Sequence, residues 1–217
     1  MYFEYGEKET EYLKLKDKKL AAVIDRIGHI YRAADDELFA SVVHYIIGQQ
    51  ISTKAQQTIW QRLQDALGEV SAQTIAAADR DSLQSLGMTY RKADYIKDFS
   101  EKVVRGELDL AAVEQMPDED AIEALSSLKG VGVWTAEMIL LFCLQRPDIL
   151  SFGDLAVQRG MRMVYRHRRI DKKLFETYRR RLSPYGSTAS LYFWAVAGGA
   201  IPELTDPAKA GSRGGNR

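Results

Sequence analysis

Apolar residues recur at three- and four-residue spacing along most of the chain, and strict alternation is almost absent. That period predicts amphipathic helices rather than strands. Leu38, Val42, Tyr45 and Ile46 form one such face. Ile59, Leu63 and Leu67 form another, closed by Gly68, and Val133, Ala136, Leu140 and Leu144 form a third. The breaks carry helix punctuation. Thr53-Lys-Ala-Gln56 reads as a capping box, in which a hydroxyl and a distal amide satisfy each other's backbone N–H groups. Gly87 ends a helix and Thr89 caps the next, Pro117-Asp118 opens another, and Pro184-Tyr-Gly186 separates the last two. The pattern predicts about ten helices joined by short connections.

The expected fold is therefore all-α, in two helical subdomains. Residues 35–150 read as one continuous helical stretch. Residues 1–34 pair with 151–204 to make the second. Neither a long linker nor a repeat at solenoid spacing is visible. Residues 205–217 are small and polar and read as a disordered tail.

Hydrophobic residues make up 46% and charged residues 28% of the chain, a soluble globular balance. No run of about 18 apolar residues predicts a membrane span. The N-terminus, Met1-Tyr-Phe-Glu-Tyr-Gly-Glu, is acidic and lacks an apolar signal core. The expectation is a cytoplasmic protein, or a nuclear one in a eukaryote, with no membrane partner. Cys143 is the single cysteine. It excludes an internal disulfide, an all-cysteine metal site and an iron–sulfur cluster within one chain. Its apolar setting, Ile139-Leu-Leu-Phe-Cys-Leu, predicts a buried packing thiol.

The net charge is zero, which by itself argues against a nucleic-acid partner. The average conceals an asymmetry. Residues 159–181 carry ten lysines and arginines against Asp171 and Glu176, whereas residues 4–11 carry four glutamates against Lys8. A local basic face is enough to meet phosphates. A solvated helix face is the equally open alternative.

Leu125-Ser-Ser-Leu-Lys-Gly-Val-Gly-Val-Trp-Thr-Ala136 carries more information. One helix ends near Leu128, and a second starts near Val133, with Gly130 and Gly132 flanking Val131. Glycine adopts positive φ and admits close approach. A glycine hairpin before a helix start aims several N–H groups and the helix dipole one way, a ready phosphate site. Lys129 adds charge, Val131 anchors the hairpin, and carbonyls at Leu128 and Val131 are candidates to hold a monovalent cation. A Gly-x-Gly turn with a purely structural role is the alternative. About twenty residues on, Gly153-Asp154 opens the helix Leu155–Tyr165. Asp154 reads first as a helix N-cap, a role that would also orient its carboxylate.

Together these segments resemble the helix–hairpin–helix, Gly/Pro-Asp superfamily of DNA glycosylases, and within it the 3-methyladenine DNA glycosylase II group. The similarity covers about Ser41 to Gly199. It includes Ile47-Gly-Gln-Gln-Ile-Ser52, Tyr90-Arg-Lys-Ala93, Leu128-Lys-Gly-Val-Gly-Val-Trp-Thr-Ala136 and Gly153-Asp154. The resemblance implies a DNA-binding cleft between two helical subdomains, with the helix–hairpin–helix at about residues 120–145. It implies a monomer acting on double-stranded DNA that contains a damaged base, without a cofactor. Asp154 becomes the catalytic carboxylate of an N-glycosyl hydrolase acting on alkylated purines such as 3-methyladenine. Lys129, Gly130, Val131, Gly132 and Thr135 become DNA contacts.

Bifunctional relatives carry a lysine nucleophile where this chain has Trp134, so the resemblance implies hydrolysis by water. Gln50 matches the position that intercalates when the base flips out, although many relatives have an apolar wedge there. Trp134 and Trp194 match aromatic positions at the base pocket, and Met138 stands where a further aromatic is expected. Polar turn residues and core tryptophans are the plainer readings of Gln50 and the two tryptophans. A non-catalytic DNA-binding module and a glycosylase for a different lesion stay open as alternatives.

Overall fold

The computed structural model describes residues 1–208. Thirteen helices occur among them, and β pairing is limited to an isolated antiparallel bridge between Tyr2 and Ala33. The chain divides into two compact units, Met1–Ala34 with Gln145–Arg217, and Asp35–Leu144. The second division therefore falls after Leu144 rather than after residue 150. The count exceeds ten because short helices of six residues, such as Ala72–Ala77 and Arg80–Ser85, give too few turns to show a period.

The terminal unit holds α1 (Glu7–Lys16), α2 (Lys18–Ile27), α11 (Leu155–Tyr165), α12 (Lys172–Leu182) and α13 (Gly186–Ala197). Its core gathers Leu13, Leu20, Val23, Val157, Met161, Phe175, Tyr192 and Phe193 around α13. Every residue of α13 except Trp194 and Ala195 is buried. A helix apolar nearly all round belongs inside a core. Its serines are satisfied by the connection ahead of α11. The Ser187 hydroxyl donates to the Arg146 carbonyl and accepts from the Ile149 N–H, and the Ser190 hydroxyl donates to the Ile149 carbonyl. Asp148 accepts from the Gly186 N–H and the Ser183 hydroxyl. Gly160 on α11 lies so close to α13 that a Cβ there would stand 2.1 Å from the Phe193 carbonyl oxygen. A side chain is sterically excluded at that crossing.

The carboxyl-terminal segment corrects one expectation. Asp206, placed in the tail from its composition, is buried and accepts from Arg162 at 3.0 and 2.7 Å. That tail therefore begins later than 205, and residues 209–217 lie outside the described residues.

The central unit holds α3 (Leu38–Gly48), α4 (Thr53–Leu67), α5 (Ala72–Ala77), α6 (Arg80–Ser85), α7 (Tyr90–Val104), α8 (Leu110–Gln115), α9 (Asp118–Ser126) and α10 (Val133–Phe142). Thr89 caps α7, Gly68 closes α4 and Pro117 precedes α9, as their residue types predict. The cap of α4 is one residue earlier than expected. The Ser52 hydroxyl accepts from the Ala55 N–H, while the Gln56 amide donates to the His44 carbonyl. The Thr53–Gln56 box does not form because Gln56 is drawn to the neighbouring helix. Phe39 of α3 stacks on Phe99 of α7 at 4.9 Å. Cys143 is half-buried rather than buried, and desolvation, with Asp35 adding to it, pushes its thiol up to about 12.

Candidate active site and nucleic-acid interface

In the terminal unit, Asp154 is the N-cap of α11 and is only 6% exposed. Three donors converge on its Oδ1: the Ala156 and Val157 N–H groups, both at 2.8 Å, and the Trp194 indole Nε1 at 3.2 Å. The sequence supplies this arrangement in steps. An aspartate after Gly153 is a strong N-cap. The connection leading to it is pinned to α13 by Asp148, Ser187 and Ser190. The Gln158 amide donates to the Phe152 carbonyl at 2.6 Å, which ties the turn before Asp154 to the first turn of α11. Trp194 sits at the half-exposed end of α13. A buried carboxylate is costly unless hydrogen-bonded, and here the bonds also fix its direction. Leu155, the next residue, is 80% exposed.

The basic stretch in this unit is less available than its composition suggests. Arg162 and Arg159 turn to Asp206, at 2.7 and 4.0 Å, and Arg181 pairs with Asp17 at 2.9 Å. Arg166, Arg168, Arg169, Lys172, Lys173 and Arg180 are exposed.

In the central unit, α9 ends at Ser126 and α10 begins at Val133. Gly130 has φ +84°, and a Cβ there would stand 2.3 Å from the Tyr95 ring. Both facts demand glycine. Gly132 differs: its φ of −92° suits any residue, and a Cβ would meet nothing within 4 Å. As N-cap of α10 it offers no side chain, so it supplies no side-chain cap to the helix. The Val131 N–H donates to the Leu128 carbonyl at 3.1 Å, closing the turn.

Several expected contacts are placed differently from a simple surface row. Val131, Leu128 and Thr135 are buried, which leaves their backbones as what they offer to a ligand. Met138 is also buried, at 3% exposure. Trp134, one turn earlier, is 45% exposed. Lys129 is exposed, but its ammonium lies 2.7 Å from Asp98. The pair holds Asp98 below, and Lys129 above, the usual values. The Leu128 carbonyl already accepts the Val131 N–H, and the Gly130 carbonyl accepts the Gln49 amide at 2.5 Å. No group of three or more His, Cys, Asp or Glu residues suited to a metal occurs among the described residues.

Gln50 is exposed, at the tip of the turn between α3 and α4, with φ +58°. A non-glycine residue in that region costs on the order of 1–3 kcal/mol and persists only where its surroundings impose it. The imposing contacts were not foreseen from sequence. Lys92, on α7, donates to the Ile47 and Gln49 carbonyls at 2.7 and 2.6 Å. Among the described residues, no helix is long and apolar enough to cross a membrane.

Comparisons with known proteins converge on one family. Residues 43–184 match the family described as HhH-GPD superfamily base excision DNA repair protein. A putative DNA-3-methyladenine glycosylase YfjP of Bacillus subtilis is 30% identical over 187 residues, covering 81% of this chain and 64% of that protein. DNA-3-methyladenine glycosylase 1 of Schizosaccharomyces pombe is 26% identical over 178 residues, covering 80% and 77%. Among solved structures, a DNA-3-methyladenine glycosidase from Bacillus halodurans superposes with a TM-score of 0.85 at 31% identity, covering 97% of this chain and 98% of that one. With the all-helical architecture, the glycine hairpin and the N-capping aspartate, the match over most of the chain leads to one conclusion: the chain belongs to the HhH-GPD superfamily of base excision DNA repair proteins.

Proposed function

We propose that this protein is a monofunctional DNA glycosylase that hydrolyses the N-glycosidic bond of alkylated purines such as 3-methyladenine. The observation that carries the reading is the hydrogen bond from Trp194 to Asp154. Forty residues apart in sequence, the candidate carboxylate and a candidate base-pocket aromatic meet in one hydrogen-bonded unit. The relatives named as 3-methyladenine glycosylases and the glycosidase covered along 98% of its length support the substrate class.

Breaking the bond from sugar to base leaves positive charge on the deoxyribose. Asp154, its Oδ1 held by two backbone N–H groups and an indole, is a fixed negative charge for that developing oxocarbenium ion. Preorganised charge of this kind is commonly the largest single contribution to a rate. The same carboxylate orients the attacking water as general base. An alkylated purine already carries positive charge and leaves as a neutral base, so a second carboxylate acting as acid is dispensable. The family's lyase lysine is replaced by Trp134, which has no amine to form a Schiff base. Trp194, beside Asp154, and separately Trp134, half exposed, are the candidate aromatic contacts for an electron-deficient purine. The glycine hairpin with the start of α10 receives a backbone phosphate, while Gln50 fills the space that the flipped base vacates. The partner is double-stranded DNA, bound by a monomer.

Asp154→Asn tests the reading. Base release from methylated duplex DNA is expected to fall by on the order of 10²–10³ or more, with affinity for the duplex retained. Full activity in that variant overturns the mechanism. Parallel duplexes containing uracil or 8-oxoguanine are expected to release little base, and borohydride is expected to trap no covalent adduct.

A further inference from the structure

We propose that Lys92 is a positioning residue that holds the Gln49–Gln50 turn in its inserting conformation; the proposal rests on the reading of Gln50 as the wedge. α3 ends at Gly48, and the carbonyls just before and after that end both accept from one ammonium, Lys92 Nζ, at 2.7 and 2.6 Å. A cation at the carbonyl end of a helix is favourable. Lys92 is half-buried, and burial holds its pKa below the usual lysine value. Bringing a lysine to such a site is justified only by the carbonyls that it satisfies.

The turn is tethered from the other side as well. The Gln49 amide donates to the Gly130 carbonyl, and Gly130 is packed against Tyr95. Lys92 and Tyr95 lie three residues apart on α7, so they share a face of that helix. One helix thus sets the register between the turn that bears Gln50 and the glycine hairpin. Beside the turn lies a cavity of about 310 Å³, lined by residues including Gln50, Ile51, Arg91 and Tyr95. Without the Lys92 ammonium, the turn retains the Gln49–Gly130 tether and a long bond from the Ile51 N–H to the Gly48 carbonyl at 3.5 Å, and it can relax into the space.

The same helix carries a built-in control. Lys97 donates to the Ala76 and Ala78 carbonyls at 2.7 and 2.8 Å, the same device at the end of α5. Loss of either lysine costs comparable local bonding, yet Lys92 alone touches the wedge turn.

The experiment reads insertion, not excision. A duplex carrying a tetrahydrofuran abasic site flanked by 2-aminopurine reports the wedge by fluorescence. Lys92→Met is expected to reduce the inserted fraction about tenfold, as the loss of two charge-assisted hydrogen bonds allows. Lys97→Met is expected to leave insertion unchanged, with both variants losing thermal stability to a similar degree. Aminoethylation of Lys92→Cys, which restores an ammonium at nearly the same reach, is expected to restore insertion. Cys143 is the native cysteine, and the parent chain treated in parallel shows any effect of its modification. If Lys92→Met does not fold, Lys92→Gln replaces it, with an intermediate loss expected.

Wild-type insertion in the Lys92 variant, while Gln50→Ala is impaired, overturns the proposal and leaves the wedge intact. Equal losses in the Lys92 and Lys97 variants also overturn it, because the role is then structural. Wild-type insertion by Gln50→Ala removes the wedge itself and the proposal with it. None of these outcomes depends on Asp154, whose failure would show only in base release.

Discussion

Two helix N-termini in this chain are built in opposite ways. At α11 the chain supplies its own anion: Asp154 caps the helix, accepts two backbone N–H groups and is buried. At α10 the cap is Gly132, which supplies nothing and whose missing side chain would point into open space. Both helix ends present the same N–H groups and the same partial positive charge. The first spends them on orienting a side chain. In the second the cap supplies no anion of its own, and under the proposed function a DNA phosphate takes that place. A helix end thus serves as a vice for an internal charge or, under the proposed function, as a socket for an external one, according to a single residue at the cap.

Exchanging these characters tests the contrast. Gly132→Asp fills the socket. The backbone there accommodates any residue, so the fold should gain a few tenths of a kcal/mol from the new cap. If a phosphate docks there as proposed, a carboxylate costs several kcal/mol of binding, and the dissociation constant for duplex DNA is expected to rise by about a hundredfold or more. A melting curve beside a binding titration checks both halves; unchanged affinity would remove the α10 terminus from the interface. Trp194→Phe loosens the vice by deleting one donor to the carboxylate. Single-turnover base release should slow by about tenfold to a hundredfold, with DNA affinity little altered. A variant as fast as the parent would show that the two backbone donors suffice. Asp98→Asn gives the smallest change. It frees Lys129 from its partner at 2.7 Å, and because exposed pairs contribute roughly 0–1 kcal/mol, affinity should rise only a few-fold. That gain should shrink as salt is added.

Local signals in the sequence were reliable where a residue type meets a local need. Thr89, Gly68 and Pro117 mark helix ends because caps are satisfied within three or four residues. The shift from Thr53 to Ser52 shows the limit: two adjacent hydroxyl residues compete, and the winner depends on Gln56 finding a carbonyl on another helix. Burial along α10 was illegible for a related reason. Val133-Trp-Thr-Ala-Glu-Met-Ile-Leu-Leu-Phe142 is apolar on almost every side, so its period does not separate exposed Trp134 from buried Met138.

The arrangement around the candidate site is set by polar contacts across 40 to 81 residues, from Trp194 to Asp154 and from Gln49 to Gly130. Spacing carries no trace of such pairs. Asp154 and Trp194 were reached through resemblance to a family, whereas Lys92, Gln49, Ser187 and Ser190 needed coordinates. The lysines and arginines of 159–181 make the opposite point: ten charges counted in sequence include three committed to Asp206 and Asp17.

The partial burial of the sulfur at Cys143 has a consequence for its reactivity. Electrophiles that methylate purines also consume sulfur nucleophiles, and they react with the anionic form. Burial pushes the Cys143 thiol up to about 12, so the anionic form is scarce at neutral pH. Alkylating reagents at neutral pH are therefore expected to modify Cys143 more slowly than an ordinary exposed thiol, which a timed thiol-labelling assay checks.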